Sequence, residues 1–418
     1  MVLSVSSLFD QLLSEVWFEL TFLLVVSLFS SFLFARFGQP KVIGYILVGV
    51  IIGPSLLNII KAPRILDPVT GLPTDAVSGL PEVVLMLAQL GSIILLFMIG
   101  LECELREVYT KRSISIAAGG VVLPWIAGYY LAEAMGFGSD AVFIGATLVA
   151  TSVAVTASVL SELGIIGTPV AYAIVGAAVV DDILGMIVLG ISKGISSGTG
   201  LDSSELGLLV VGAVMFIVVG AWVGSRFLVP LIFNVQISGY RRKLPMSGFV
   251  LALAIVFLYA TVAETIGISA IVGAFVAGTI MSSSTLKDGF RKGTQYLEAL
   301  FVPIFFVSLG VVVDLKEMWN AIGFGVLLTA VAVLTKVVGC GVPAKLTGMS
   351  WWDSFSVGIG MAPRLEIAFI IAYYGLSTHI INSEIYSVVI FMGLMTALFT
   401  PTLLKTSLRR GGHALLPS

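Results

Sequence analysis

Two adjacent carboxylates, Asp181 and Asp182, stand near the middle of the apolar stretch GTPVAYAIVGAAVVDDILGMIVLGISK. Burying an ionisable group in a bilayer is costly, and such groups line a pathway or pair with one another. The chemistry open to a buried carboxylate is the reversible holding of a proton or a cation. Adjacent helical residues point about 100° apart. One aspartate is therefore expected to face a cavity and the other a neighbouring helix. Lys336 lies well inside another apolar run, in LTKVVGC, too deep to snorkel to an interface, and Asp181 is its expected partner. A third stretch, GIGMAPRLEIAFIIA, carries Arg364 and Glu366. Gly358, Gly360 and Pro363 predict a break in that helix, which leaves carbonyls that Arg364 can satisfy. Arg364 can instead pair with an acid, and Glu102, at the end of LLFMIGLE, is the candidate partner in a gating ion pair. A fourth stretch, FIGATLVATSVAVTASVLSEL, is rich in hydroxyls: Thr147, Thr151, Ser152, Thr156 and Ser158. Such groups replace backbone bonds where a helix unwinds and can ligate a desolvated cation, although hydroxyl-rich helices are often only packing surfaces.

The elements that must position these groups follow from composition. Of 418 residues, 58% are hydrophobic and 11% are charged, and the mean hydropathy is +1.09. A soluble domain carries about 25% charged residues, so this chain could not cover a soluble surface. Disorder is excluded by the same composition. Apolar runs of about 20 residues recur throughout, as spanning helices need, and the short alternating segments of a β-barrel are absent. The fold class is an all-α polytopic membrane protein with about 13 spans, near 15–36, 41–59, 81–101, 112–135, 139–161, 167–192, 206–234, 246–264, 268–283, 296–314, 320–347, 354–375 and 384–405. The longest link, from Lys61 to Leu80, is turn-rich.

Charge tests the count. With the N-terminus outside and the spans alternating, sixteen of the 22 Lys and Arg fall on the inner side. Only Lys61, Arg64, Lys193 and Lys316 fall outside, and Lys336 and Arg364 lie within spans. This bias supports the count and a cytoplasmic C-terminus. The start is acidic (Asp10, Glu15, Glu19), so no cleavable signal peptide is expected.

Other classes fit poorly. Cys103 and Cys340 are far apart and belong to no ligand-spaced pair, which excludes a disulfide framework or zinc site; His379 and His413 are isolated. The net charge of −2 gives no reason to expect a nucleic-acid partner. Neighbouring acids on one helix do not suit an aspartyl protease, whose acids meet across a gap. Residues 194–198 formally match GxSxG but lack a strand–turn–helix context. No enzymatic activity and no cofactor are expected. A cation channel is the alternative of a different class, since acids can line a pore; the buried Lys336 and the lack of a filter-like segment argue against it.

In order and spacing, GQPKVIGYILVGVIIGPSLL, LAQLGSIILLFMIGLE, ATSVAVTASVLSELG, AAVVDDILGMIVL, LFVPIFFVSLGVVVDL, LTKVVG and GMAPRLEIAFIIA resemble cation:proton antiporters of the second subfamily, the group with NapA-type and Kef-type exchangers. The resemblance implies inverted repeats with two crossing broken helices. It implies a dimerisation part near 15–101 and 246–314, a core part near 112–192 and 320–405, and a linking helix at 206–234. Asp182 would alternately hold the cation and a proton, Asp181 would pair with Lys336, and Thr151 and Ser152 would lie in the unwound stretch. The implied activity is Na⁺ or Li⁺ exchange for H⁺ by alternating access, with K⁺ exchange of the Kef type as the alternative. The implied setting is a homodimer among the lipids of a prokaryotic plasma membrane. Leu365 departs from the family glycine between the arginine and the glutamate. No GxGxxG unit follows the last span, unlike many Kef-type members. Kef-type exchangers commonly carry glutamine at the first aspartate, so the double aspartate tilts the expectation toward sodium.

Overall fold

The computed structural model describes residues 16–57, 59–60, 82–138, 141–196, 203–311, 313, 315, 319, 322–377 and 380–413. The turn-rich link, with Lys61 and Arg64, lies outside these residues, as do Lys316 and His379. Among the described residues there are helices and no strands. In chain order they are α1 (Val16–Arg36), α2 (Lys41–Ile52), α3 (Glu82–Glu102), α4 (Leu105–Val108), α5 (Lys111–Ala134), α6 (Ala141–Thr147), α7 (Val153–Glu162), α8 (Pro169–Ser196) and α9 (Ser203–Val223). A π-helical turn, Gly224–Leu228, leads into α10 (Val229–Arg241). Then follow α11 (Ser247–Thr265), α12 (Ala270–Met281), α13 (Lys287–Val311), α14 (Ile322–Leu346), α15 (Trp351–Gly360), α16 (Glu366–Ser377) and α17 (Ser383–Arg410).

Eight of the helical stretches are long and apolar enough to cross a membrane. The two shortest expected spans correspond to α2 and α12, of 12 residues each. Four bounds differ most from the expectation. The second span, expected to reach residue 59, leaves the helix after Ile52 at Gly53 and Pro54. The seventh span continues through the π turn to Arg241, because Pro230 lacks an N–H and its ring crowds the preceding turn, so the helix bulges without stopping. The tenth begins at Lys287, not near residue 296: its first turns, KDGFRKGTQYLEAL, are charged and amphipathic, so apolar length alone misses them. The thirteenth runs on to Arg410.

Local sequence sets the ends. Thr110 accepts from the Ser113 N–H at 3.2 Å to open α5, and Asn382 accepts from the Ile385 N–H at 2.9 Å to open α17. Gly38, Gly164, Gly267 and Gly348 adopt positive φ just past helix ends.

Packing falls into two groups. In the first, α13 lies against α3 and α2, α12 against α3 and α11, and α1 against α2. In the second, α5 packs on α6, α8 and α14, and α14 on α15 and α17. Helix α9 touches α8 of one group and α12 of the other. The Gly49/Gly53 pair admits the backbone of α13, and Gly220/Gly224 admits Tyr259 and Ile280, so both small-residue pairs serve contacts within the chain.

Candidate functional site

The site begins with two interruptions. Between α6 and α7 the chain leaves the helix at Leu148–Ser152, and between α15 and α16 at Met361–Leu365. Each break frees backbone groups that need partners at membrane depth, and the two breaks supply one another. The Ser152 N–H donates to the Pro363 carbonyl at 2.7 Å. Thr156 donates to the Gly360 carbonyl at 2.6 Å and Thr151 to that of Met361 at 3.2 Å. In return, the Arg364 guanidinium donates to the carbonyls of Leu148 and Ala150. It also reaches Ala332 on α14 at 2.9 Å, and the Arg364 N–H donates to Thr396 on α17 at 3.1 Å. Arg364 is fully buried. A cation placed on the carbonyl end of a helix also meets the negative end of its dipole.

Helix α8 carries the two acids, and its 100° step sends them to different surroundings. Asp181 points to α14 and α5: its Oδ1 accepts from Lys336 Nζ at 2.6 Å, and neither side chain has any exposure. A Cβ at Gly120 would meet Cys340 and stand 3.4 Å from Lys336 Nζ and 3.7 Å from Asp181 Oδ1. Gly120 therefore makes room for the pair. Beside it, Gly119 of α5 and Gly339 of α14 bring the two backbones together. Asp182 lines a cavity of 570 Å³ between the two helix groups. Thr151, Gln89, Ser92 and Ser308 bring polar groups to that largely apolar cavity, and it extends to Glu264 and Ser269 at the α11–α12 turn.

The structure thus brings Asp181, Asp182, Lys336, Thr151, Ser152 and Arg364 together. Glu102 is elsewhere. It forms an ion pair with Arg291 Nε at 2.9 Å, joining the end of α3 to the start of α13. The expected Glu102–Arg364 pair is corrected accordingly: Arg364 donates to the carbonyls of Leu148 and Ala150 at the break and of Ala332 on α14. Glu366 opens α16, and its side chain lies outside the described ones. Gly120, Gln89, Ser92, Ser308 and Glu264 were not singled out from sequence. Only Gly120 leaves a sequence signal, in the glycine pair of AAGGVV. Cys103 and Cys340 are buried free thiols, and burial pushes Cys103, just beyond α3, up to about 12. Among the described residues no cluster of His, Cys, Asp and Glu is arranged to hold a metal ion.

A carboxylate facing a cavity, beside a sealed ion pair and at the crossing of two interrupted helices, has the architecture of an ion-coupled secondary transporter. The chain belongs to the sodium/hydrogen exchanger family, whose description "Sodium/hydrogen exchanger, transmembrane" matches residues 22–410. It is 34% identical to the Na(+)/H(+)-K(+) antiporter GerN of Bacillus cereus, over 94% of this chain and 96% of the relative. It is 32% identical to a Na(+)/H(+) antiporter of Enterococcus hirae, over 92% of this chain and 96% of the relative. The fold is similar to that of the sodium proton antiporter MjNhaP1 from Methanocaldococcus jannaschii, with a TM-score of 0.66 at 17% identity, covering 94% of this chain and 95% of that one.

Proposed function

We propose that this chain exchanges Na⁺, or Li⁺, for protons across a membrane, with the two ions competing for Asp182. The observation that carries this reading is the division of labour on α8. Asp182 borders a largely apolar cavity with a few polar residues, Thr151, Gln89, Ser92 and Ser308 among them, while Asp181 is neutralised by Lys336 in a fully buried pair. A carboxylate holds a proton or a monovalent cation but not both well, and coupling follows from that competition. A bare carboxylate resists passage across an apolar barrier, and either ligand removes the penalty. That difference favours exchange over leak.

The first helix group is the fixed dimerisation scaffold and the second is the moving core, so access alternates as the core shifts. Two copies form the working unit. The basic face is cytoplasmic, with the N-terminus outside, in a prokaryotic plasma membrane. The family membership and the antiporter relatives support the activity, and the positive-inside bias supports the orientation. The Asp181–Lys336 pair sets the stoichiometry. If Asp181 releases Lys336 to bind the cation, two protons cross per cation and transport is electrogenic. If the pair stays closed, the ratio is one.

K⁺ is the second substrate to test, because one relative is named a Na(+)/H(+)-K(+) antiporter and a 25% identical yeast relative a K(+)/H(+) antiporter. The test uses purified protein in liposomes with a set pH gradient and a luminal pH dye. Na⁺- and Li⁺-driven proton movement, lost in Asp182→Asn, supports the reading. A response to K⁺ alone moves the protein to potassium exchange. Cation flux without opposing proton flux makes it a channel and overturns the proposal.

A further inference from the structure

The turn between α1 and α2 closes the end of α1 from within, the Gly38 N–H donating to the Ala35 carbonyl and the Gln39 N–H to that of Phe34, both at 2.9 Å, but it leaves the Gly38 carbonyl and the start of α2 to outside partners. Gly38, two residues past the end of α1, takes a left-handed φ of 63°. α2 starts after Pro40, which gives the first turn no side-chain hydrogen bond. Both needs are met from the other helix group. Lys405 on α17 donates its ammonium to the Gly38 carbonyl. Glu162, the last residue of α7, accepts from the Lys41 N–H at 2.9 Å. Between them, Thr402 of α17 donates to Gln39 Oε1 at 2.9 Å. The signs are complementary. A cation sits at the carbonyl end of α1 and a carboxylate at the amide end of α2, each where the helix dipole favours it.

These contacts bridge the two groups on one face. They lie where α1 ends and α2 begins, with the basic C-terminal turn of α17 beside them. The cavity that holds Asp182 reaches the opposite face, at the α11–α12 turn, where α11 ends after starting next to Arg241–Lys243. One face is bolted across the two groups while the other admits solvent toward the acid.

We infer that the α1–α2 hairpin is a latch: Lys405 of the core holds its turn, Glu162 caps the start of α2, and together they keep the basic face shut. Opening that face strips both contacts together, so the latch sets how often the core leaves the state seen here. This inference rests on the alternating-access reading above.

The test uses the full-length protein. Gln89→Cys places a thiol in the cavity, where it reports the open face; both native cysteines are buried, so the background is low. In that background Glu162→Ala with Lys405→Met is expected to raise amide hydrogen exchange at the start of α2 about fivefold or more. Labelling of the cavity thiol by a small maleimide is expected to slow about threefold or more as the population shifts. Glu162→Gln, which keeps an acceptor, is expected to fall between. A second arm avoids destabilised protein: Gln39→Cys with Thr402→Cys, joined by a short bis-thiol reagent, is expected to stop exchange reversibly, with transport restored by a cleavable linker. Unchanged exchange at α2 and unchanged labelling, or full transport through the cross-linked latch, overturns the inference. The two readings separate cleanly. Na⁺-driven proton flux in the wild type with no effect of the latch variants sinks the latch alone. A labelling shift in a protein that moves no protons sinks the transport reading and leaves the latch standing.

Discussion

Asp181 and Asp182 are neighbours in sequence with the same side chain, yet they occupy opposite physical regimes. Asp181 is sealed, its charge matched at 2.6 Å by Lys336, in a slot made by two glycine-lined helices. Asp182 is only 4% exposed, but it borders a 570 Å³ cavity with hydroxyl and amide neighbours. The first has a fixed counter-ion; the second borders open space. A single helical step makes the difference, which teaches that burial alone does not mark a transport site. What marks it is whether the buried charge is locked in a sealed ion pair or borders a cavity.

The largest expected effect breaks this contrast at its cavity-facing end. Asp182→Asn should reduce Na⁺-driven proton flux in proteoliposomes at least about 100-fold, with little change in thermal stability. Residual flux near wild type would mean that the sealed acid carries the ion. The second breaks the fixed end. Asp181→Asn strands Lys336 in an apolar slot, a change that costs roughly 3–5 kcal/mol. A lower unfolding midpoint in detergent is expected, and most of the loss should return in the Asp181→Asn/Lys336→Gln double variant. If the double variant is no better than the single, the pair is not the unit described. A third, milder change sharpens the comparison by crowding the slot. Gly120→Ala pushes a methyl against Cys340 and the Lys336 ammonium, for about 1–3 kcal/mol. It should lower stability without altering the apparent affinity for Na⁺. The smallest effect lies at the cavity mouth. Glu264→Gln should weaken the apparent Na⁺ affinity about twofold at low ionic strength and not at all at high salt, because an exposed acid attracts cations only while unscreened.

Much of this contrast is legible in the sequence, because membrane burial makes every charge conspicuous. Asp181, Asp182, Lys336 and Arg364 each interrupt an apolar run. The 100° helical step already predicts that the acids diverge, and the Gly358, Gly360 and Pro363 cluster predicts one of the two breaks. The other break has no proline, and only hydroxyls foreshadow it; it exists because Arg364, distant in sequence, satisfies its carbonyls. That is a tertiary fact. The same limit explains Glu102. Its charge is visible, but its partner Arg291 sits on helical turns too charged to register as part of an apolar span. Gln89, Ser92 and Ser308 are ordinary polar residues until two helices turn them toward one cavity.

Arg364 has a mechanical consequence. Its guanidinium grips the α6 break from within the α15 break, and Ser152, Thr151 and Thr156 grip back. With that many cross-ties at the crossing point, neither helix can slide along the other, and the pair behaves as a stiff X-shaped brace. Compliance is left to its far ends, where Gly136 and Gly138 precede α6, Gly164 follows α7 and Gly348 precedes α15, all at positive φ. Whatever displacement carries an ion across, the brace travels whole and the bending happens at those three ends.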